Sequence, residues 1–178
     1  MPVLPYAGHS LVVRSPRWTK EREEAGGCHA VFTTDSAGYS PEIFNRIGGE
    51  IYIAGLNDAE LDLPQLATDA QPDDASIAKL KTTAVRLLGL PDGEDDLEVV
   101  REGLCFRPIT ARGPPIVSRI PDDKLGGGMK TLAADKGGVF MAVGHGPWGI
   151  SQSLGTGKVV AELVEGKPLS ATIKALSV

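Results

Sequence analysis

The sequence predicts an α+β fold built mainly on an antiparallel sheet. Its 178 residues include 22 glycines and 13 prolines, which indicate many turns and short strands rather than a helical bundle. Short segments rich in β-branched and aromatic residues, bounded by turn residues, recur in the first third of the chain. Two segments, over 75–88 and about 149–165, have the character of helices and supply the helical part of the fold.

Two strands are predicted near the start of the chain. Residues 8–15 and 28–34 are rich in apolar and β-branched side chains, which is typical of strands. The charged run 21–24 lies between them, and we interpret it as a solvated face of a polar loop.

A β-hairpin is the clearest local pattern. Residues 42–47 alternate between apolar and polar side chains, and 50–55 are again rich in β-branched and aromatic residues. Gly48 and Gly49 separate the two runs, and paired glycines suit the positive backbone angles of a two-residue hairpin turn. The sequence therefore predicts two antiparallel strands joined by this turn.

A helix is predicted after an acidic, turn-rich loop over 56–74. Asp74 can cap a helix that begins near Ala75, and Gly89 and Pro91 end it. The apolar residues fall on one helical face, which comprises Ile77, Leu80, Ala84, Leu87 and Leu88.

The second half predicts three strands and a final helix. Residues 97–106 and 116–120 are predicted to pair, and a flexible loop over 121–136 contains three consecutive glycines. A buried strand over 138–143 then leads through a glycine-rich turn into the last helix, which Gly166 ends. We predict two domains, over residues 1–94 and 95–178.

Composition argues against several classes of protein. The net charge is −5 and the basic residues are scattered, which argues against a nucleic-acid surface. No stretch approaches the roughly 18 apolar residues of a membrane span, and the first residues lack the pattern of a secretory signal. Cys28 and Cys105 lie far apart, so we predict no disulfide framework and no metal site, and we expect a reduced, cytoplasmic protein.

The segment Val139–Val164 is the most informative part of the chain. A short apolar strand meets a turn that contains Gly144, Gly146 and Gly149, and a helix follows. Glycines allow close approach of the backbone, and a helix directs its first N–H groups and the positive end of its dipole at whatever fills the turn. The pattern suits an anionic or electron-rich group, while an ordinary strand-to-helix connection is the alternative.

A second segment precedes this turn and carries Arg107, Pro108, Thr110, Gly113 and Pro115, followed by Ile116. The two segments together resemble the C-terminal part of the FAD-dependent oxidoreductases of the D-amino-acid oxidase family. In that family an Arg-Pro-x-Thr-x-x-Gly-x-Pro segment precedes a strand, a Gly-His turn and a closing helix. The resemblance covers residues 95–166 well and residues 7–56 more weakly, as strands of the family's substrate domain.

The resemblance implies that the C-terminal strand, turn and helix cap the ring of FAD. It places the cofactor against six residues, namely Gly144, His145, Gly146, Trp148, Gly149 and Ile150. A structural turn histidine is the alternative for His145, and a hydrophobic plug is the alternative for Trp148.

The resemblance also assigns Arg107 to a substrate carboxylate, which a guanidinium binds with two parallel N–H bonds. A surface or interdomain ion pair is the alternative for Arg107. Tyr52 is a further candidate on the substrate side. Cys105 falls where sarcosine-oxidase-like members attach the flavin covalently, and a buried structural cysteine is the alternative. No residue is assigned as a catalytic acid or base.

The family binds FAD mainly through an N-terminal Gly-x-Gly-x-x-Gly turn after a strand, and we find no such fingerprint. Gly144–Gly149 matches its letters, but no acidic residue ending a second strand follows. We therefore interpret the sequence as a C-terminal half whose N-terminal Rossmann half is missing. Alone, it is expected to bind FAD weakly or not at all.

Two functions are predicted from this resemblance. The first is the C-terminal portion of an FAD-dependent oxidoreductase that oxidises an amine or amino-acid-like substrate by hydride transfer to the flavin. The alternative is a non-catalytic binding or scaffold protein, or a truncated fragment, that retains half of the flavoenzyme fold. An open apolar face predicts self-association or association with the missing N-terminal half.

Overall fold

A computed structural model describes residues 3–132 and 137–178, so the last four positions of the predicted loop 121–136 lie outside the described residues. The chain divides into two compact units. One comprises Ala7–Phe106, and the other comprises Met1–Tyr6 and Arg107–Val178. The division predicted after residue 94 stays a prediction.

The first unit is built on a five-stranded sheet. Its strands are β1 (Leu4–Arg14), β2 (Ala30–Phe32), β3 (Glu42–Arg46), β4 (Glu50–Asp58) and β5 (Glu98–Ile109). Their order across the sheet is β2-β3-β4-β1-β5, and the pairs β2–β3, β3–β4 and β1–β4 are antiparallel. The mostly antiparallel sheet predicted from the sequence is confirmed.

One face of this sheet packs against helix α2 (Asp74–Leu88). Leu11, Ile53 and Ile43 are direct cross-strand partners, so their side chains share that face. With Val13 and Ile51 they contact the helix, which contributes three buried apolar residues, Ile77, Leu80 and Ala84. The predicted apolar helix face is confirmed at these three positions, but Leu87 is 41% exposed and lies outside the core.

The hairpin turn has three residues, so the prediction of a two-residue turn is wrong. Arg46 pairs directly with Glu50, which leaves Ile47, Gly48 and Gly49 between the strands. Both glycines have positive φ angles, +97° and +76°. The side chain of Ile47 is 94% exposed, so no burial of apolar surface favours its pairing in the strand, and the residue belongs to the turn.

The charged run 21–24, interpreted as part of a solvated loop, instead lies in helix α1 (Lys20–Gly26). The side chain of Thr19 caps this helix by accepting a hydrogen bond from the Arg22 amide. The carboxylate of Glu23 accepts hydrogen bonds from the backbone N–H groups of Gly48, at 3.0 and 3.1 Å, and of Gly49, at 2.8 Å. Glu23 thus links α1 to the hairpin turn.

We expect Glu23→Gln to destabilise the chain by about 1 kcal/mol, because a neutral amide replaces the carboxylate that accepts from two turn amides. Chemical denaturation followed by circular dichroism measures this change. Glu24→Gln is the matched control, since Glu24 is exposed and has only a 3.8 Å contact with Lys20. Equal effects of the two substitutions would show that Glu23 does not stabilise the turn.

Helix α2 begins one residue earlier than predicted, because Asp73 and not Asp74 is its N-cap. The Asp73 carboxylate accepts a hydrogen bond of 2.8 Å from the Ser76 amide. The Asp73 amide donates to Nε2 of His9, a side chain that is only 2% exposed. This second contact needs the tertiary structure, and local sequence could not distinguish the two neighbouring aspartates.

Hydrogen bonds from the backbone and side chain of Ser76 lower the pKa of Asp73. A lowered pKa in the folded state stabilises the fold above the unfolded-state pKa, and this stabilisation is lost as pH falls through the folded-state value. We therefore expect the free energy of unfolding of Asp73→Asn to fall less steeply than that of the wild type as pH decreases below about 4. Asparagine still caps a helix, so stability at pH 7 should change little.

Thermal unfolding of the wild type and Asp73→Asn between pH 7 and pH 2.5 tests this expectation. Several other carboxyl groups also have lowered pKa values, including that of Asp96 beside Arg17. Only the difference between the two proteins therefore reports on Asp73. Parallel profiles over the whole range would contradict the assignment.

The second unit contains β6 (Ile116–Arg119), β7 (Phe140–Val143) and helix α3 (Gly149–Val164). The two strands form an antiparallel pair, from Ile116 with Val143 to Arg119 with Phe140. The prediction that 116–120 pairs with 97–106 is therefore wrong. The pairing of β6 with β7 is a long-range contact whose register the sequence alone could not assign.

Strand β7 is also less buried than predicted. Its residues Phe140, Met141 and Val143 are half-buried, and Ala142 is exposed. Val159 is the buried residue of α3 within the described chain, whereas Leu154 is 88% exposed. Strand β7 and helix α3 thus have apolar surface that the described residues leave open.

Candidate functional site

The two segments singled out in the sequence meet in the second unit. Ile109, at the end of β5, forms an isolated antiparallel bridge with His145 in the glycine-rich turn. Thr110 lies against Gly144. Residues that are far apart in sequence thus build one corner, formed by the end of β5 and the turn between β7 and α3.

Gly144 is required at this corner for two reasons. Its φ angle is +81°, a conformation that residues with a side chain rarely adopt. A Cβ atom at this position would also lie 2.4 Å from Cγ2 of Thr110, well inside van der Waals contact. The turn therefore approaches Thr110 more closely than any residue other than glycine allows.

Thr110 is 5% exposed and fixes the loop that leads into β6. Its hydroxyl donates a 2.7 Å hydrogen bond to the carbonyl of Pro114, and its carbonyl accepts from the Gly113 amide at 3.0 Å. Gly113 has a φ of +89°, as a turn of this kind requires. Thr110 thus has a hydroxyl that closes the loop and a methyl group that contacts the glycine turn.

His145 is half-buried, and its Nε2 atom lies 3.1 Å from the hydroxyl of Thr156 in α3. Its backbone carbonyl accepts a hydrogen bond from the Trp148 amide, which forms the short 3₁₀ turn Gly146–Trp148 ahead of the helix. Trp148 itself is 64% exposed. The turn is therefore anchored through its histidine, while the indole remains accessible.

Helix α3 presents an open N-terminus at this turn. Within the described chain no side chain caps the helix, and no acidic residue occupies its first turn. Its first N–H groups and the positive end of its dipole are therefore available to an electron-rich group. Ile150, at the second helical position, is 94% exposed.

The other predicted site residues lie elsewhere. Arg107 and Pro108 precede this corner in β5, and Arg107 is half-buried. Tyr52 and Cys105 belong to the first unit. Tyr52 is half-buried, with the Arg46 guanidinium 4.5 Å from its ring centre, and Cys105 is exposed, with Sγ 3.5 Å from the Gly8 carbonyl.

The sequence did not identify two residues that build the corner. Ile109 and Thr156 position the turn through the bridge and the contact with His145. Ile109 lies inside the quoted Arg-Pro segment and could have been suspected from its position. Thr156 has no local signal, because its role depends on how α3 packs.

Two further observations concern the described residues. No cluster of three or more His, Cys, Asp or Glu side chains that could hold a metal ion occurs within residues 3–132 and 137–178. Over the same residues, no helix combines the length and apolar character needed to cross a membrane.

A strand, a glycine turn and a helix without a side-chain cap form an arrangement that is able to bind an electron-rich group. Comparison with known proteins specifies the family. The family model described as FAD dependent oxidoreductase (DAO) matches residues 1–163, so the chain belongs to this family of FAD-dependent oxidoreductases. The resemblance proposed from the sequence is confirmed.

Individual relatives agree with this assignment. The Schizosaccharomyces pombe protein C1F5.03c, provisionally described as an oxidoreductase, is 32% identical over 139 residues, which are 77% of this chain and 31% of that protein. A D-amino acid dehydrogenase of Paramagnetospirillum magneticum is 25% identical over 100% of this chain and 35% of its own length. The chain thus spans about a third of the length of these relatives.

Solved structures share the fold. Glycine oxidase from Geobacillus kaustophilus superposes with a TM-score of 0.70 at 24% identity, over 99% of this chain and 39% of that one. Iminodiacetate oxidase from Chelativorans sp. BNC1 superposes with a TM-score of 0.67 at 17% identity, over 99% of this chain and 40% of that one. At these identities the likeness establishes the fold alone.

Proposed function

We propose that this chain supplies the substrate-binding sheet and the flavin-ring turn of an FAD-dependent enzyme that oxidises an amine or amino-acid-like substrate. The observation that carries the proposal is the open N-terminus of α3 behind the Gly144–Gly149 turn. The residues present fit a flavin, because the turn allows close approach of its backbone and the first N–H groups of α3 have no side-chain cap. Such donors suit the electron-rich pyrimidine edge of the flavin ring. When bound, the flavin supplies the acceptor for a hydride from the substrate.

The residues of the turn have separate roles in this proposal. The backbone around Gly146, Gly149 and Ile150 directs N–H groups and the helix dipole at the ring edge that gains negative charge. His145 and Trp148 pack beside the ring. The contact of His145 with Thr156 favours a positioning role for its side chain and no proton transfer.

On the substrate side we propose that Arg107 binds a carboxylate, and Tyr52 stays a further candidate for contact with the substrate. The names of two relatives, an amino-acid dehydrogenase and a glycine oxidase, support substrates of this class. Cys105 is a candidate for covalent attachment of the flavin. Its exposure is compatible with that role and disfavours a buried structural cysteine.

We further propose that the ADP part of FAD is bound by residues outside this sequence, because the Gly-x-Gly-x-x-Gly fingerprint after a strand is not found in it. The exposed apolar side chains of Ile150 and Leu154 support association of this chain with an ADP-binding half, or association of two copies of this chain. Both forms of association stay predictions.

Flavin titration of the purified chain tests the proposal. If the chain contacts only the ring, FMN and FAD should bind equally and weakly, and dialysis should remove the absorption band of either. Tight, stoichiometric FAD that survives dialysis would overturn the proposed division between this chain and an ADP-binding half. A complete lack of spectral change with either flavin would indicate a truncated or repurposed half, and the same titration would then be repeated with an ADP-binding half present.

A further inference from the structure

A small charged pocket lies on helix α2, within the Ala7–Phe106 unit and separate from the flavin turn. It is open to solvent and has a volume of about 240 Å³, and its residues Lys79, Thr82 and Arg86 are exposed. Its lining comes from one side of α2 and from the loop between β2 and β3, and comprises Asp35, Tyr39, Lys79, Thr82, Thr83 and Arg86.

Two cations of this pocket have no carboxylate partner among the described residues. Arg86 makes neither a hydrogen bond nor an ion pair there. The ammonium of Lys79 lies 4.4 Å from the ring centre of Tyr39 and makes no ion pair with a carboxylate of the described residues. The two cations are seven residues apart, so they lie on the same side of the helix, two turns from one another.

The remaining polar groups of the pocket are satisfied internally. The Asp35 carboxylate accepts hydrogen bonds of 2.9 Å from the amides of Ala37 and Tyr39, which closes its own turn. The hydroxyls of Thr82 and Thr83 donate to helix carbonyls at 3.0 and 2.8 Å. The unused hydrogen-bonding capacity of the pocket is therefore mainly that of two cationic donors.

We propose that this pocket binds the phosphate group of a small molecule. An arginine fork and a lysine ammonium are the two side chains that proteins use most for phosphate, and Asp35 leaves the lining with one net positive charge. The volume is about eight times the roughly 30 Å³ that a water molecule occupies, so a phosphate monoester fits as well as free phosphate. This site is independent of the flavin and extends beyond the oxidoreductase function.

Isothermal titration of the purified chain at constant ionic strength tests the proposal, with inorganic phosphate and glycerol 3-phosphate as probes. We expect saturable binding at one site, weakened about tenfold by either Lys79→Gln or Arg86→Gln. Lys81→Gln is the matched control. It removes the same charge from the same helix, but Lys81 pairs with Glu102 at 3.3 Å and lies outside this pocket.

Equal affinity for the two probes would identify the phosphate group alone as the ligand, and tighter binding of glycerol 3-phosphate would identify a monoester. Either result supports the site. A lack of saturable binding to both probes would overturn it, as would equal weakening in all three variants, which would indicate only the loss of general positive charge. Thermal melting of each variant confirms that exposed substitutions on α2 leave the fold intact.

Discussion

Replacing Arg107 by alanine is expected to lower kcat/KM for a carboxylate-bearing amine by about 30- to 1,000-fold, measured in the flavin-loaded enzyme. This range corresponds to about 2–4 kcal/mol, the usual cost of leaving a charged hydrogen-bonding partner unpaired in a closed site. The effect should fall mainly on KM, because a carboxylate contact made equally in the ground state and the transition state changes binding more than turnover.

Two variants sharpen this test. Arg107→Lys keeps the charge but loses the planar fork, so an intermediate loss is expected if the contact is bidentate. Arg112→Ala is the control, since Arg112 lies in the same segment but its guanidinium donates to the backbone carbonyl of Ser177 at 2.6 Å. Unchanged kcat/KM in Arg107→Ala, or an equal loss in Arg112→Ala, would remove Arg107 from the substrate site.

Replacing Gly144 by alanine is expected to destabilise the chain by about 2–4 kcal/mol. Part of this cost is backbone strain at a φ of +81°, which is of the order of 1–2 kcal/mol. The rest is overpacking, since the new methyl group would lie 2.4 Å from Cγ2 of Thr110 and one of the two segments must move. The same movement would displace the turn that we assign to the flavin ring, so flavin binding should fall as well.

Thr110→Ser separates the two causes. Serine keeps the hydroxyl that donates to the Pro114 carbonyl but lacks the methyl group that the new side chain would meet. In the double variant, we expect about 1–2 kcal/mol of the loss to be recovered relative to additivity, as chemical denaturation of the four proteins in the cycle would measure. Strictly additive losses would mean that Gly144 is needed only for its backbone angle.

Local patterns predicted those elements whose evidence is local. Alternation in 42–47 and the β-branched and aromatic residues of 50–55 predicted the hairpin strands, because such side chains suit the alternating core and open faces of a strand. The turn between them was assigned two residues instead of three, since its length depends on which residues pair. The charged run 21–24 is solvated as interpreted, but it lies in helix α1 and not in a loop. The contact of Glu23 with the turn amides was missed because these lie more than twenty positions away.

The candidate site likewise contains features that the sequence predicted and contacts that it did not. The glycine spacing predicted the turn, because positive φ angles and close approach require glycine. The family was identified from the resemblance of this turn and of the Arg-Pro segment to known members. The position of Ile109 inside the Arg-Pro segment was a sequence signal for its contact with His145, but the contact of His145 with Thr156 had none. Ordinary residues make these contacts, and only the packing of the chain brings them together.

The sequence by itself determined the family, the antiparallel sheet, the apolar face of α2 and the glycine turn ahead of α3. The family follows from the resemblance of two segments to known members, whereas each of the other features depends on periodicity or on a residue type that one local conformation requires. The tertiary structure alone decided that β6 pairs with β7, that Glu23 binds the hairpin turn, and that Thr110 lies against Gly144. These are long-range choices, whose free energy comes from contacts that form only after distant segments have met.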